Sequence, residues 1–291
     1  MRRIFLLLLL LGLSHSILSA ADYVKGWSDH KMKHGGLERE YALYLPENLS
    51  EDAPLVVMLH GYGSRSKPTR YGLHEAAERH GFAVCFPRGA KDHRDKACWN
   101  VGYAFHLDKE HRYKVDDVAF ITRLVRHLQR EYGLSRKNTF LTGMSNGGEM
   151  CYLMAYLRPE LFAAVAPVSG LTMEWMYRDL KAKRAVPLFE IHGTEDKTSA
   201  WNGDLENKGG WGAYIGVPQA VGYWVAQAGC THEESEELPL VRNKVVAHRY
   251  VNGVDGCQVW LYEVIGGKHS WGEKDMNTAE ELWKFFSLYV K

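Results

Sequence analysis

A short, unbroken apolar run ending at a glycine or another turn residue recurs along this chain. It occurs as "APLVVMLHG", "FAVCFPRG", "NTFLTGMS", "FAAVAPVSG" and "VPLFEIHG", and again as "CQVWLYEVIGG" near the end. A strand with one face in water alternates polar and apolar residues, whereas a strand covered on both faces has no reason to. The runs therefore predict central strands of a parallel sheet. Before them, "LEREYALYLP" does alternate and stops at Pro46, which predicts an edge strand. Between the runs lie segments with helical spacing. Val118, Ile121, Val125, Leu128 and Tyr132 recur at steps of three and four, with Asp116 and Asp117 in the first turn, at the positive end of the helix dipole. The same spacing links Met150, Leu153, Met154 and Leu157, then Val221, Trp224, Val225 and Ala228, then Leu282, Phe285, Phe286 and Tyr289. Strand and helix alternate from residue 53 onward, which predicts a single α/β domain with one doubly wound, mostly parallel sheet and helices on both faces. No Pro-, Ser- or Gly-rich linker divides it.

Composition narrows the function classes. Apolar residues make up 46% and charged residues 24% of 291, with a formal net charge of +1 and no basic stripe or acidic run. Nothing there captures nucleic acid or anionic lipid by charge, so the expected partner is a small molecule or a neutral polymer. The opening "MRRIFLLLLLLGLSHSILSAAD" sets Arg2 and Arg3 before a leucine run and closes in small residues, the order of a secretory leader. Residues 1–21 are read as that leader and 22–291 as the domain, secreted or periplasmic, with no stable membrane anchor because Ile4 to Leu13 is too short to span a bilayer. Of the five cysteines, Cys85 and Cys151 fall in apolar segments where the residue acts as a small hydrophobe. Cys230 and Cys257 stand in turn-like contexts and are the favoured disulfide pair.

The stretch "FLTGMSNGGEMCYLMAYL" carries the chemistry. Ser145 follows an apolar strand and precedes a helix, flanked by Gly143 and Gly147, a Gly-x-Ser-x-Gly turn in which absent side chains let strand and helix approach while the serine takes a strained conformation. The helix N-terminus supplies unpaired N–H groups for developing negative charge. "IHGTEDK" then puts Asp196 at the carboxyl end of a run, and "IGGKHSW" puts His269 past the last one. Ser, Asp, His is the chain order of an α/β-hydrolase triad. Glu195 competes for the acid role and His192 and His60 for the base, but the His-Gly-x-x-Asp spacing favours Asp196, and both rival histidines precede a glycine where they brace a turn. In "LHGYGS" the Tyr62 backbone N–H is the expected oxyanion donor, with Asn146 supplying the other.

Two long segments, 91–114 and 197–216, interrupt the alternation and are rich in aromatic residues. Trp99, Trp201 and Trp271 are expected to line the substrate cleft, with Tyr103, Phe105 and Trp211 beside them. The chemistry needs no cofactor. No metal is expected either, since His30, His34, His80, His93, His106 and His111 show no ligand spacing on one predicted helix.

Taken in order, "REYALYLP", "PLVVMLHG", "VDDVAFI", "GMSNGG", "IHGTED", "AGC" and "GGKHSW" resemble secreted α/β-hydrolase esterases related to poly(3-hydroxybutyrate) depolymerases and to the feruloyl and acetylxylan esterases of carbohydrate esterase family 1. The resemblance implies an α/β-hydrolase fold and a serine esterase working through an acyl-enzyme, most simply on plant polysaccharide esters, with feruloyl esters ahead of acetyl esters. A polyester depolymerase or short-chain esterase is the enzymatic alternative, and a carbohydrate-binding protein on a silent hydrolase scaffold the non-enzymatic one. The group also tends to carry a cysteine pair at positions matching Cys230 and Cys257. Ser199-Ala200-Trp201 replaces the Val-Pro-Tyr usual after the acid, and Gly272 replaces a proline, departures that bear on acyl preference.

Overall fold

The computed structural model describes residues 24–64 and 66–291, so the leader expected at 1–21 lies outside the described residues. The chain forms a ten-stranded sheet. Its strands are β1 (Gly26–His34), β2 (Leu37–Leu45), β3 (Leu55–Leu59), β4 (Ala83–Pro87), β7 (Thr139–Met144), β8 (Ala164–Val168), β10 (Leu188–Gly193), β13 (His232–Glu237), β14 (Val245–Val251) and β15 (Val259–Val264), in the order β1-β2-β4-β3-β7-β8-β10-β15-β14-β13. Five short strands make two small sheets above it: β5 (Ala90–Lys91) with β6 (Ala97–Cys98), and β9 (Thr172–Met173), β11 (Gly203–Asp204) and β12 (Tyr214–Ile215). The six strands from β4 to β15 run parallel and coincide with the six apolar runs.

Helices cover both faces. Along β3, Leu55, Val57 and Leu59 pack into one core layer while Val56 and Met58 pack into the other, so each side chain of the run has its own apolar destination. The first layer contains residues of α2 (Asp117–Glu131), α3 (Asn146–Leu157) and α5 (Val217–Ala228); the second contains residues of α1 (Leu73–His80) and α6 (Thr278–Ser287). A short α4 (Glu174–Asp179) follows β9. Asp116 caps α2 by accepting the Ala119 N–H at 2.9 Å, and Asp117 begins its first turn.

The sheet edges depart from the expectation. β2 is not the edge: β1 pairs with it along its whole length through a two-residue turn at Gly35 and Gly36, both with positive φ, as such hairpins require. At the opposite margin β13 and β14 interrupt the strand–helix alternation with an antiparallel pair. β13, "HEESEE", is exposed throughout and carries no hydrophobic period; its strand character comes from hydrogen bonding to β14 and its charges suit an open edge. The cysteine pairing is also corrected. Cys230 and Cys257 are neighbours, but both thiols are free, and the Cys230 Sγ lies 3.7 Å from the Cys257 carbonyl oxygen, so it engages that acceptor rather than the other sulfur. Among the described residues no helix is long and apolar enough to cross a membrane.

One buried ion pair ties the antiparallel margin to the helical layer. Arg39 on β2 donates to Asp117 at 2.7 Å with both side chains almost fully excluded from water, and its guanidinium lies 3.8 Å over the Phe120 ring. Burial pushes the Asp117 carboxyl above its ordinary value even with Arg39 beside it. Removing the cation leaves that carboxyl uncompensated, so Arg39→Ala should lower stability by about 3–5 kcal/mol. Urea unfolding of the two proteins measures this, and equal midpoints would refute the link.

Candidate active site

The backbone around Ser145 is built by close approach. A Cβ on Gly147 would stand 2.2 Å from the Leu59 carbonyl oxygen, and one on Gly143 would stand 2.5 Å from the Gly147 backbone, so only hydrogen fits at either position. Ser145 between them has φ 55° and ψ −122°, a conformation non-glycine residues rarely take. It is held there because its N–H donates to the Val168 carbonyl at 2.9 Å while its own carbonyl accepts from Glu149 at 2.9 Å. The strand end and the start of α3 are thus clamped to β8, and the Ser145 side chain is turned into a cavity of about 210 Å³.

His269 lines that same cavity. Its Nδ1 lies 2.7 Å from Asp196 Oδ2, across 73 residues of sequence. Asp196 is buried, and its other oxygen accepts the N–H groups of Thr198 and Ser199, each at 2.8 Å, so the loop's own backbone fixes the carboxylate's aim. With Nδ1 engaged by the carboxylate, Nε2 is the ring nitrogen left for chemistry. Among the described residues no hydrogen bond joins Ser145 Oγ to His269; the two side chains meet as walls of one cavity, and such contacts commonly tighten only with substrate present.

The two expected oxyanion donors flank the serine. A Cβ on Gly61 would lie 3.3 Å from the Ser145 Cβ, which sets the "HGYG" loop directly against the elbow. Among the described residues no hydrogen bond occupies the Tyr62 or Asn146 backbone N–H. Trp99 locks these two pieces together: its backbone N–H donates to Asn146 Oδ1 at 2.7 Å, its carbonyl accepts from Asn146 Nδ2 at 3.1 Å, and its indole donates to the His60 carbonyl at 2.9 Å. His60 itself accepts the Gly89 N–H on Nε2 at 3.0 Å and reaches the Gly61 carbonyl through Nδ1 at 2.8 Å; burial holds it down to about 4, so it is neutral and braces the turn.

The tryptophan expectations need correction. Trp99 is fully buried in the bracing role just described, and Trp271 is buried against Tyr71, 5.0 Å between ring centres, with its indole donating to the Tyr71 carbonyl. Trp201 is half-buried with its ring 6.0 Å from His192, outside the cavity lining. The aromatic walls are instead Tyr62, Tyr103 and Trp211. The two long segments meet there, Ala104 donating its N–H to the Trp211 carbonyl at 3.0 Å.

Two carboxyl groups in this region were not anticipated. Glu149, one turn beyond Ser145 on α3, lines the cavity while almost completely buried, accepting the Tyr103 hydroxyl and facing the Asn146 amide at 3.5 Å. Glu190 is fully buried within β10. Each is a lone charge in an otherwise apolar run, which was the available signal. One cluster of metal-ligating types exists among the described residues: Asp92, Cys98 and His106. Asp92 Oδ2 already accepts the Tyr62 hydroxyl at 2.7 Å and faces His106 Nε2 at 3.1 Å. The His106 Nδ1 has no partner, whereas a metal-bound imidazole usually donates its other N–H. The cluster therefore reads as a staple for the Tyr62 loop.

Residues 39–186 match the family model described as Esterase PHB depolymerase. Among curated proteins the chain is similar to a feruloyl esterase B of Piromyces equi, 26% identical over 86% of this chain and 46% of that one. It is also similar to a bifunctional acetylxylan esterase/xylanase of Neocallimastix patriciarum, 28% identical over 58% of this chain and 23% of the relative, so the chain spans less than half of the length of either. Among solved structures the acetyl xylan esterase from Aspergillus awamori superposes with a TM-score of 0.60 at 18% identity, covering 89% of this chain and 99% of the other, which makes the fold an α/β-hydrolase fold.

Glu149 yields a pH prediction. Burial raises its carboxyl from 4.5 to about 7, against the hydrogen bonds from Tyr103 and Asn146 that pull it down. Between those values the folded protein binds the extra proton, so stability falls as pH rises through the window, by on the order of 3 kcal/mol for this group. Glu149→Gln should match the parent near pH 4 and exceed it in stability near pH 8. Parallel urea stability curves across that range would contradict the assignment.

Proposed function

Because the chain belongs to the Esterase PHB depolymerase family, we propose that it is a secreted serine carboxylic ester hydrolase that removes short acyl groups, acetyl first among them, from plant polysaccharide. The observation that carries the reading is the 2.7 Å contact between His269 Nδ1 and Asp196, made where His269 and the strained Ser145 line one cavity. In this reading Ser145 Oγ attacks the ester carbonyl carbon as His269 Nε2 takes its proton, and Asp196 orients the ring and stabilises its charged form. The Tyr62 and Asn146 N–H groups hold the oxyanion, the second from the N-terminus of α3. His269 returns the proton to the leaving alcohol, and water repeats the sequence to release the acid from the acyl-enzyme.

The acyl preference rests on size. A cavity of about 210 Å³ falls below the roughly 300–1,000 Å³ of sites that enclose drug-sized ligands, which favours acetyl over feruloyl. The aromatic walls Tyr62, Tyr103 and Trp211 support feruloyl as the second reading, since a cinnamoyl ring stacks on such faces. Support for the polysaccharide comes from the relatives named as acetylxylan and feruloyl esterases and from the leader-like N-terminus.

Ser145→Ala should retain the fold and lose about a millionfold in turnover. Release of product from acetylated xylan, nitrophenyl acetate, methyl ferulate and hydroxybutyrate oligomers should rank the acetyl esters first. Full activity in the alanine variant would end the serine mechanism, and methyl ferulate or the oligomers ranking first would overturn the acyl assignment.

A further inference from the structure

Beside Asp196, facing the same carboxylate oxygen that His269 engages, lies a second imidazole that the proposed reaction does not use. His192 at the end of β10 is fully buried. Its Nε2 is 2.8 Å from the Ser199 carbonyl and 3.6 Å from Asp196 Oδ2, while its Nδ1 is 2.7 Å from Glu190 Oε1. A carbonyl oxygen can only accept, so Nε2 carries a proton. Burial raises the Glu190 carboxyl above its ordinary value, but it receives the Tyr152 hydroxyl at 3.0 Å on one oxygen and the Gly170 N–H at 3.3 Å on the other, donors that favour its ionised form and, with the 2.7 Å contact to Nδ1, put the shared proton on the imidazole.

We propose that His192 is a permanent buried imidazolium, paired with Glu190, that sets the electrostatic strength of Asp196 and so positions the titration of His269. The inference rests on the triad reading for its catalytic consequence. Two cations share one carboxylate: His269 when protonated, and His192 at all times. His192, 3.6 Å from the carboxylate oxygen that His269 contacts at 2.7 Å, offsets part of the negative charge facing the His269 ring. The partners around His192 raise its protonation against the opposing effect of burial. Tyr152 on α3 donates to Glu190, Cys151 beside it is a thiol held neutral by burial, and Glu263, in register with His192 on β15, faces His248 at 3.4 Å. Among the described residues no ion pair joins Glu190 or Asp196 to a cation other than His192 and His269.

The test reads both rings directly. In ¹⁵N-histidine-labelled protein at pH 8, both ring nitrogens of His192 should be protonated; an unprotonated one would overturn the proposal. In Glu190→Gln/His192→Gln, which removes the charges while keeping hydrogen-bonding groups, the His269 titration midpoint should rise by about one pH unit, with the acidic limb of the kcat/KM profile rising alongside. That shift is a tenfold loss of rate on the acidic side with little change above the limb. A midpoint that stays put while rate falls equally at every pH would reduce His192 to a structural brace. If the double variant does not fold, the charge state in the unmodified protein still decides. The NMR readings need no substrate, so a protein that cleaves no ester would sink the esterase reading while leaving this proposal separately tested.

Discussion

The site hangs on a contact between two backbones. Gly147 at the start of α3 meets the Leu59 carbonyl at the end of β3 so closely that no side chain can intervene, and Gly143 meets Gly147 in the same way. This approach forces the turn at Ser145 into positive φ, aims its side chain away from the sheet, and brings the N-terminus of α3 against the "HGYG" loop. The unfavourable conformation persists because its neighbours over-determine it: the Ser145 N–H is tied to β8, and Asn146 is tied on both polar atoms to Trp99.

From that contact outward the region is organised as stacked polar layers in a low-dielectric interior. Ser145, His269 and the cavity form the first; Asp196 with its two backbone donors forms the second; His192, Glu190 and Tyr152 form the third. With His192 protonated as proposed, charges alternate in sign through the rear layers, the arrangement by which buried ionisable groups avoid the cost of isolation. Glu149 stands apart because it has hydroxyl and amide partners rather than a cation, and burial accordingly drives it toward its neutral form.

The long segments serve this core in a way that local pattern did not reveal. Tyr103 and Trp211 come from different insertions and meet over the cavity with ring centres 5.1 Å apart, Tyr62 packing edge-on to both. Trp99 and Trp271 look equivalent to them in sequence, as aromatic residues just beyond strand ends, yet their indoles are turned inward to buried carbonyls. Which rings face a cleft depends on how the segments cross, and no periodicity encodes that.

The amino-acid sequence alone determined the parallel core, because residues buried on both sheet faces must be apolar without alternation. It also determined the elbow, because only glycines tolerate that backbone approach, and the candidate acid and base, because their loops follow strand ends whose order the chain makes plain. Tertiary structure decided the rest. The margins β1, β13 and β14 owe their form to pairing partners rather than to hydrophobic pattern. The free state of Cys230 and Cys257, the identity of the cavity walls and the charge relations of Glu149 and His192 were decided there as well. Each of these depends on the direction a side chain takes among groups brought from distant parts of the chain. Direction and proximity are set by packing, whereas a sequence read along its length carries only local backbone requirements and burial.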